Sequence, residues 1–287
     1  MIFITCWKKR SIQFCHQISK MEIAGYIASV IIGIALGLIG GGGSILTVPV
    51  LVYLFGIDPV IATAYSLFIV GTTSLVGAIP KYRQGLVNLK RAVIFGIPSI
   101  MAVFITRKFL VPLIPHHIFN AGSFEITKPI LIMVLFAILM VAAAYSMIKN
   151  GENENDGTQP QTFNYPMIIL EGAVVGILTG FVGAGGGFLI IPALVLFSKL
   201  PMKLAVGTSL VIIAAKSLIG FTGDLSHYNM DWKLLLIVTA AAVFGIFIGN
   251  AINKKMPAER LKKWFGWFVL IMGIYIIVKE LLFSQAM

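Results

Sequence analysis

Long apolar runs, each close to the roughly 20 residues that span a bilayer as a helix, recur along the chain with short polar breaks between them. They occupy residues 23–39, 59–79, 92–105, 129–147, 167–182, 204–221, 234–252 and 264–278 and predict eight crossing helices. Two further apolar stretches, 45–55 and 188–197, are too short to cross and stand directly behind glycine clusters. They predict half-helices or re-entrant segments. Hydrocarbon offers no partner to a backbone N–H or C=O, so each crossing must satisfy its own groups; a barrel would instead show alternating strands of about ten residues. The predicted fold class is therefore all-α, a polytopic transmembrane helical bundle.

Composition supports this pattern. Hydrophobic residues make up 58% of the 287 positions and charged residues 11%, against about 25% charged in a soluble domain; mean hydropathy is +0.96. The formal net charge of +11 is scattered over short loops rather than gathered in a basic domain, so topology explains it and no nucleic-acid partner is expected. The only cysteines, Cys6 and Cys15, precede the first run and have no spacing of a metal or redox motif. Residues 1–20 form a polar, basic extension. Either Met1 or Met21 is the natural start; a cleaved signal peptide fits poorly, because residues 2–7 are too short for its apolar region.

The stretch 150–165 contains GENENDGTQPQ and predicts a solvated linker. It separates a first transmembrane repeat, 21–149, from a second, 166–287. An offset of 143 places Pro49 on Pro192 and yields fifteen identities over the 41 positions 37–77. The informative ones are the glycines, the prolines and the pairs Ser66/Ser209 and Ser74/Ser217, which shared apolar composition would not produce. Lys81, Arg83, Lys90 and Arg91, and then Lys254, Lys255, Arg260, Lys262 and Lys263, place two loops in the cytoplasm. The loop equivalent to the first carries Asp224, His227 and Asp231 with only Lys233, which places it outside. Equivalent loops on opposite sides predict an inverted repeat, although the basic N-terminus fits this orientation poorly.

The strongest local feature is GLIGGGGSILTVP at 37–49, matched by GFVGAGGGFLIIP at 180–192. Each glycine costs a helix about 1 kcal/mol relative to alanine, so two such clusters at equivalent positions predict broken helices. A broken helix presents N–H groups and the positive end of a dipole, which suits an anion. Gly42, Gly43 and Ser44, with Gly185, Gly186 and Gly187, are the candidate anion-binding residues. The alternative is that these glycines only let helices approach closely.

Ser66, Thr72, Thr73 and Ser74 on one span, and Ser209, Ser217 and Thr222 on its counterpart, could line a polar path or simply bond helix carbonyls. Lys216 interrupts an apolar run where its repeat partner is Thr73. A charge there points to a substrate or counter-ion role, unless its stem snorkels to the surface. Arg83 could clamp a sulfonate or carboxylate or serve as an ordinary cytoplasmic anchor. Asp224 and His227 could exchange protons, with loop solvation as the favoured alternative. The sequence shows no Walker loop, GxSxG, HExxH or CxxC, so no cofactor or metal is expected and transport would run on an ion gradient or on that of the substrate. An intramembrane enzyme would have only Asp224, His227 and Glu171 as acid–base groups and is the weakest reading.

The glycine-rich 37–49 segment, Ala-Thr-Ala-Tyr-Ser at 62–66, and YRQG at 82–85 followed by Val87, Asn88 and Lys90 resemble the sulfite exporter TauE/SafE family from about Met21 onward. The resemblance implies a multi-pass carrier in the bacterial inner membrane exporting sulfite, sulfoacetate or another small organic anion, with the lipid bilayer and the anion as partners and a homodimer as the assembly the family suggests. In the second half Ser226 replaces Arg83 and Tyr228 replaces Gly85, so one asymmetric site is expected rather than two. The competing class is a non-transporting membrane scaffold for a partner enzyme, against which the short loops argue.

Overall fold

The computed structural model describes residues 23–115, 117–121, 124–149, 165–183, 185–196, 200–253 and 258–282. The extension 1–20, linker residues 150–164, both cysteines, Met21, Lys254 and Lys255 lie outside the described residues. Each of the eight predicted crossing runs falls within a helix.

Helix α1 (Ile23–Ile39) ends at Gly40. A 3-10 turn, Gly41–Leu46, leads into the short α2 (Thr47–Tyr53). Pro59 opens α3 (Pro59–Arg83) behind Asp58, whose Oδ1 accepts from Val60 N at 2.8 Å. Helix α4 (Leu89–Ile105) is capped by Asn88, whose Oδ1 accepts from Arg91 N at 3.1 Å. A π-helical turn, Thr106–Leu110, and α5 (Val111–Leu113) continue it, so the whole span covers 25 residues, Leu89–Leu113. The apolar run stops at residue 105 because Thr106, Arg107 and Lys108 follow. The helix continues because Arg107 is buried in an ion pair and Lys108 lies over the Phe104 and Phe109 rings.

The bundle is all-α, as expected; the connection after α5 adds a small hairpin in which β1 (His117–Ala121) pairs antiparallel with β2 (Phe124–Thr127). The rest is helical: α6 (Lys128–Lys149), α7 (Tyr165–Val182), α8 (Gly187–Leu196), α9 (Met202–Asp224), α10 (Trp232–Asn253) and α11 (Ala258–Leu282). The short α2 and α8 fall where half-helices were expected.

Helices α3 and α9 form the centre. Each has 72% of its apolar window buried, against 33% for the α4 span and 39% for α10. They run antiparallel: Leu67 faces Gly220, Gly71 faces Leu218 and Gly77 faces Leu210. Around them α4 packs on α7 and α9, α10 packs on α3, and α6 packs on α11. The outer surface of α4 is an exposed apolar stripe, Val93, Ile97, Met101 and Ile105, at four-residue spacing, as a lipid-facing helix requires.

Cross-half contacts obey the 143-residue offset. A Cβ on Gly33 would lie 1.9 Å from Ala242 O, and one on Gly176 would lie 2.6 Å from Ser99 O. Gly33 corresponds to Gly176 and Ser99 to Ala242, so α1 against α10 and α7 against α4 are the same contact in the two halves. Small residues let these backbones touch. Gly33→Leu should therefore force the helices apart, costing about 1–3 kcal/mol or more, whereas Ile97→Leu on the exposed stripe should change little. Thermal unfolding in detergent would measure both, and a Gly33→Leu midpoint equal to wild type would refute the close packing.

Candidate functional site at the glycine breaks

Both breaks are imposed by glycine backbone geometry. Gly40 (φ +75°) ends α1, and Gly183 (+70°), Gly185 (+65°) and Gly186 (+69°) separate α7 from α8. These left-handed conformations cost other L-residues roughly 1–2 kcal/mol each. The expected breaks are present, and they meet: a Cβ on Gly41 would lie 2.2 Å from Gly187 Cα. The central helices flank them, Gly40 against Val206 and the Ser209 hydroxyl, and Gly183 against Thr63. Val206 is the repeat partner of Thr63, so each break leans on the other half's central helix.

Lys216 reaches into the second break from α9. It is 1% exposed, and its Nζ donates to Thr179 Oγ1 on α7 at 3.0 Å. The Thr179 hydroxyl itself donates to Val175 O at 2.7 Å. A Cβ on Gly186 would lie 2.7 Å from that ammonium, so glycine there makes room for the charge. No ion pair reaches Lys216 among the described residues; the pair present joins Arg107 to Asp224. Burying an ammonium without a counter-charge is costly.

The hydroxyls divide into two groups. Ser44 donates to Gly41 O at 2.7 Å and Ser209 to Val206 O at 2.9 Å, while Thr73 and Thr222 also bond carbonyls of their own helices. Ser66, Ser74 and Ser217 are wholly buried, with hydroxyls that have no hydrogen-bond partner among the described residues. Ser217 Oγ also borders Gly185, 3.1 Å from where its Cβ would be. Gly43 packs against Leu36 and Ala35 of its own half, and Gly42 sits within the 3-10 turn.

Arg83 is exposed and is not brought to Lys216. Val70 packs on Gly185, and the thirteen residues from Val70 to Arg83 span about 20 Å of helix. The neighbouring Lys81, like Arg91 at the start of α4, is a buried cation at that end. Its Nζ donates to Asn253 Oδ1 at 2.8 Å, and Asn253 Nδ2 donates to Leu38 O beside the first break. Asp224 departs from the favoured picture of a solvated loop carboxylate: it is 1% exposed and 3.4 Å from Arg107. His227 is exposed, with Nδ1 3.1 Å from Gly223 O. Glu171 lies on α7 two turns before Thr179, and its carboxylate oxygens have no hydrogen-bond partner among the described residues.

Sequence reasoning missed Arg107, Thr63, Thr179, Asn253 and the role of Lys81. One signal was available. The 143-residue offset places Asp224 opposite Lys81 and Asn250 opposite Arg107, so polar residues recur at both ends of the central pair.

Comparisons with known proteins agree with this architecture. Residues 26–276 match the family described as Sulfite exporter TauE/SafE. A "Probable membrane transporter protein" of Xylella fastidiosa (strain 9a5c) is 29% identical over 254 residues, covering 86% of this chain and 91% of the relative. The "Probable membrane transporter protein YunE" of Bacillus subtilis (strain 168) is 28% identical over 276 residues, covering 88% and 95% respectively.

Thr179→Val should remove the hydrogen-bond partner of a buried ammonium and cost about 1–3 kcal/mol, seen as a lower unfolding midpoint in detergent. Lys216→Met should hold or raise the midpoint, since replacing a buried charge with an apolar side chain of similar volume is often neutral or stabilising. If Lys216→Met destabilises as much as Thr179→Val, the lysine serves the fold.

Proposed function

Because the chain belongs to the sulfite exporter TauE/SafE family, it is a multi-pass membrane transporter, and we propose that it exports a small sulfur-containing or organic anion across a bacterial inner membrane. Sulfite, sulfoacetate and other organosulfonates are the cargo class. The observation that carries this reading is Lys216, a buried cation with no carboxylate partner among the described residues, set at the start of α8 beside Gly186. A mobile anion supplies the charge that the protein omits. The positive end of the α8 dipole acts in the same sense, and the unpartnered Ser74 and Ser217 hydroxyls are donors for its oxygens.

Residues 21–149 and 166–287 are the two inverted repeats of this proposal. The antiparallel course of α3 and α9 supports it: a two-fold axis along the membrane normal would leave equivalent helices parallel, whereas an axis in the membrane plane reverses one of them. The breaks meet between these helices, so rocking one half against the other would expose the anion to alternate sides. With no nucleotide-binding motif in the sequence, the driving force is an ion gradient or that of the cargo.

Purified protein in liposomes should move labelled sulfite, sulfoacetate or taurine. Lys216→Met should slow that movement at least about tenfold, a transition-state loss of about 1.4 kcal/mol, while Arg83→Ala should change it less than about twofold. Wild-type protein that moves none of the panel, or Lys216→Met at the wild-type rate, would refute the reading.

A further inference from the structure

The second break has a cation at each end. Lys216 Nζ lies at Gly186 and Arg107 Nη2 lies at Gly183, where a Cβ would approach it to 2.2 Å. Arg107 is 0% exposed. Its Nη1 donates to Thr63 Oγ1 at 2.9 Å and lies 3.4 Å from Asp224 Oδ2. That separation is longer than the roughly 2.7–2.9 Å of a charge-assisted hydrogen bond, so the carboxylate is held loosely. Arg107 Nε and Nη2 have no hydrogen-bond partner among the described residues. The guanidinium thus keeps buried, unused donors beside the break.

Stability does not explain this pair. A buried ion pair adds little over well-packed apolar residues, and the repeat shows that the fold manages without one. At the equivalent place at the other end of the bundle Asn250 stands for Arg107 and Lys81 for Asp224. The other charged and titratable groups facing Asp224 are Lys128 at the start of α6 and His227 and Tyr228 in the turn after α9; Asp58, ahead of α3, acts on Lys128 and Tyr228, and the Lys108 Cβ borders Gly223. Burial and the nearby Asp224 carboxylate push the Tyr228 phenol up.

We infer that Arg107 is a second anion station on the transport path and that Asp224 is its proton-linked competitor. The inference rests on the anion-transport reading. While Asp224 is ionised it neutralises the guanidinium. When a carboxylate oxygen takes a proton from water on that side, an O–H bond forms and the ion pair is lost; the guanidinium charge is then uncompensated, and the anion neutralises it through the Nε and Nη2 donors that Asp224 never occupied. The anion comes from Lys216 across Gly183–Gly186, a distance set by the eight residues of α9 between Lys216 and Asp224, about 12 Å. When the anion leaves, Asp224 returns its proton and pairs with Arg107 again. Anion binding and proton uptake are reciprocal: the anion binds more tightly as pH falls and more weakly as pH rises.

The test uses the full chain in weakly buffered detergent solution, with sulfoacetate as the probe because its acid groups stay ionised well above pH 5. Wild type should take up close to one proton per anion bound, with affinity falling by up to about tenfold per unit of rising pH. Asp224→Asn should bind with no proton uptake and no pH dependence, Asp224→Glu should restore both, and Arg107→Gln should abolish the uptake. Proton uptake that persists in Asp224→Asn overturns the proposal, as does wild-type binding without uptake, which leaves the transport reading intact. A wild-type protein that neither binds nor moves any anion of the panel overturns both. The Asp224→Glu arm separates loss of coupling from loss of fold.

Discussion

Hydrocarbon cannot hydrogen-bond a peptide group, so a helix may break inside a membrane only where other protein covers the break. The architecture meets that constraint. Helices α1 and α7 each stop at a glycine in the left-handed region, and the interrupted backbones lie against one another at Gly41 and Gly187, with the antiparallel α3 and α9 on either side. The central pair is accordingly the most enclosed part of the bundle, while α4 and α10 turn apolar faces outward. Without the seal formed by α3 and α9, the breaks would leave unsatisfied backbone groups in lipid.

The same enclosure governs the charges. A cation within the bundle is costly unless something compensates it, and the second break holds two with different solutions: Arg107 is beside a carboxylate, whereas Lys216 has a threonine hydroxyl. The fully buried Ser66, Ser74, Ser99 and Ser217 add hydroxyls that bond nothing among the described residues, and that of Ser217 borders Gly185. Polar groups of this kind do not favour the packing.

A constant offset relates many contacts between the two halves of the chain but not their charges. Contacts between the halves come in pairs 143 residues apart, as with Gly33 on Ala242 and Gly176 on Ser99, or Gly40 on Val206 and Gly183 on Thr63. The charges do not follow this rule. Lys216 corresponds to Thr73, Asp224 to Lys81, and Arg107 to Asn250, so the cations sit differently: Lys216 and Arg107 border the second break directly, whereas Lys81 reaches the first only through Asn253. The small-residue contacts therefore recur at the constant offset, while the buried charges do not.

The bundle, its crossing segments, the two half-helices and the duplicated breaks were legible in the chain itself, because each depends on local properties: the length of an apolar run, the cost of glycine in a helix, and identities at a constant offset. Lys216 stood out for the same reason, as one charge within an apolar run. The partners were not legible. Arg107 lies just past the end of an apolar run and Asp224 looks like a loop residue, yet their meeting depends on α4 continuing through a π turn and packing on the end of α9. Likewise Arg83 and Lys81 are two residues apart with the same charge, and only the tertiary fold decides that Lys81 is buried against Asn253 while Arg83 faces outward. Sequence alone determines which segments enter the membrane and where they break; which charges meet there depends on helix rotation and packing between residues more than a hundred positions apart.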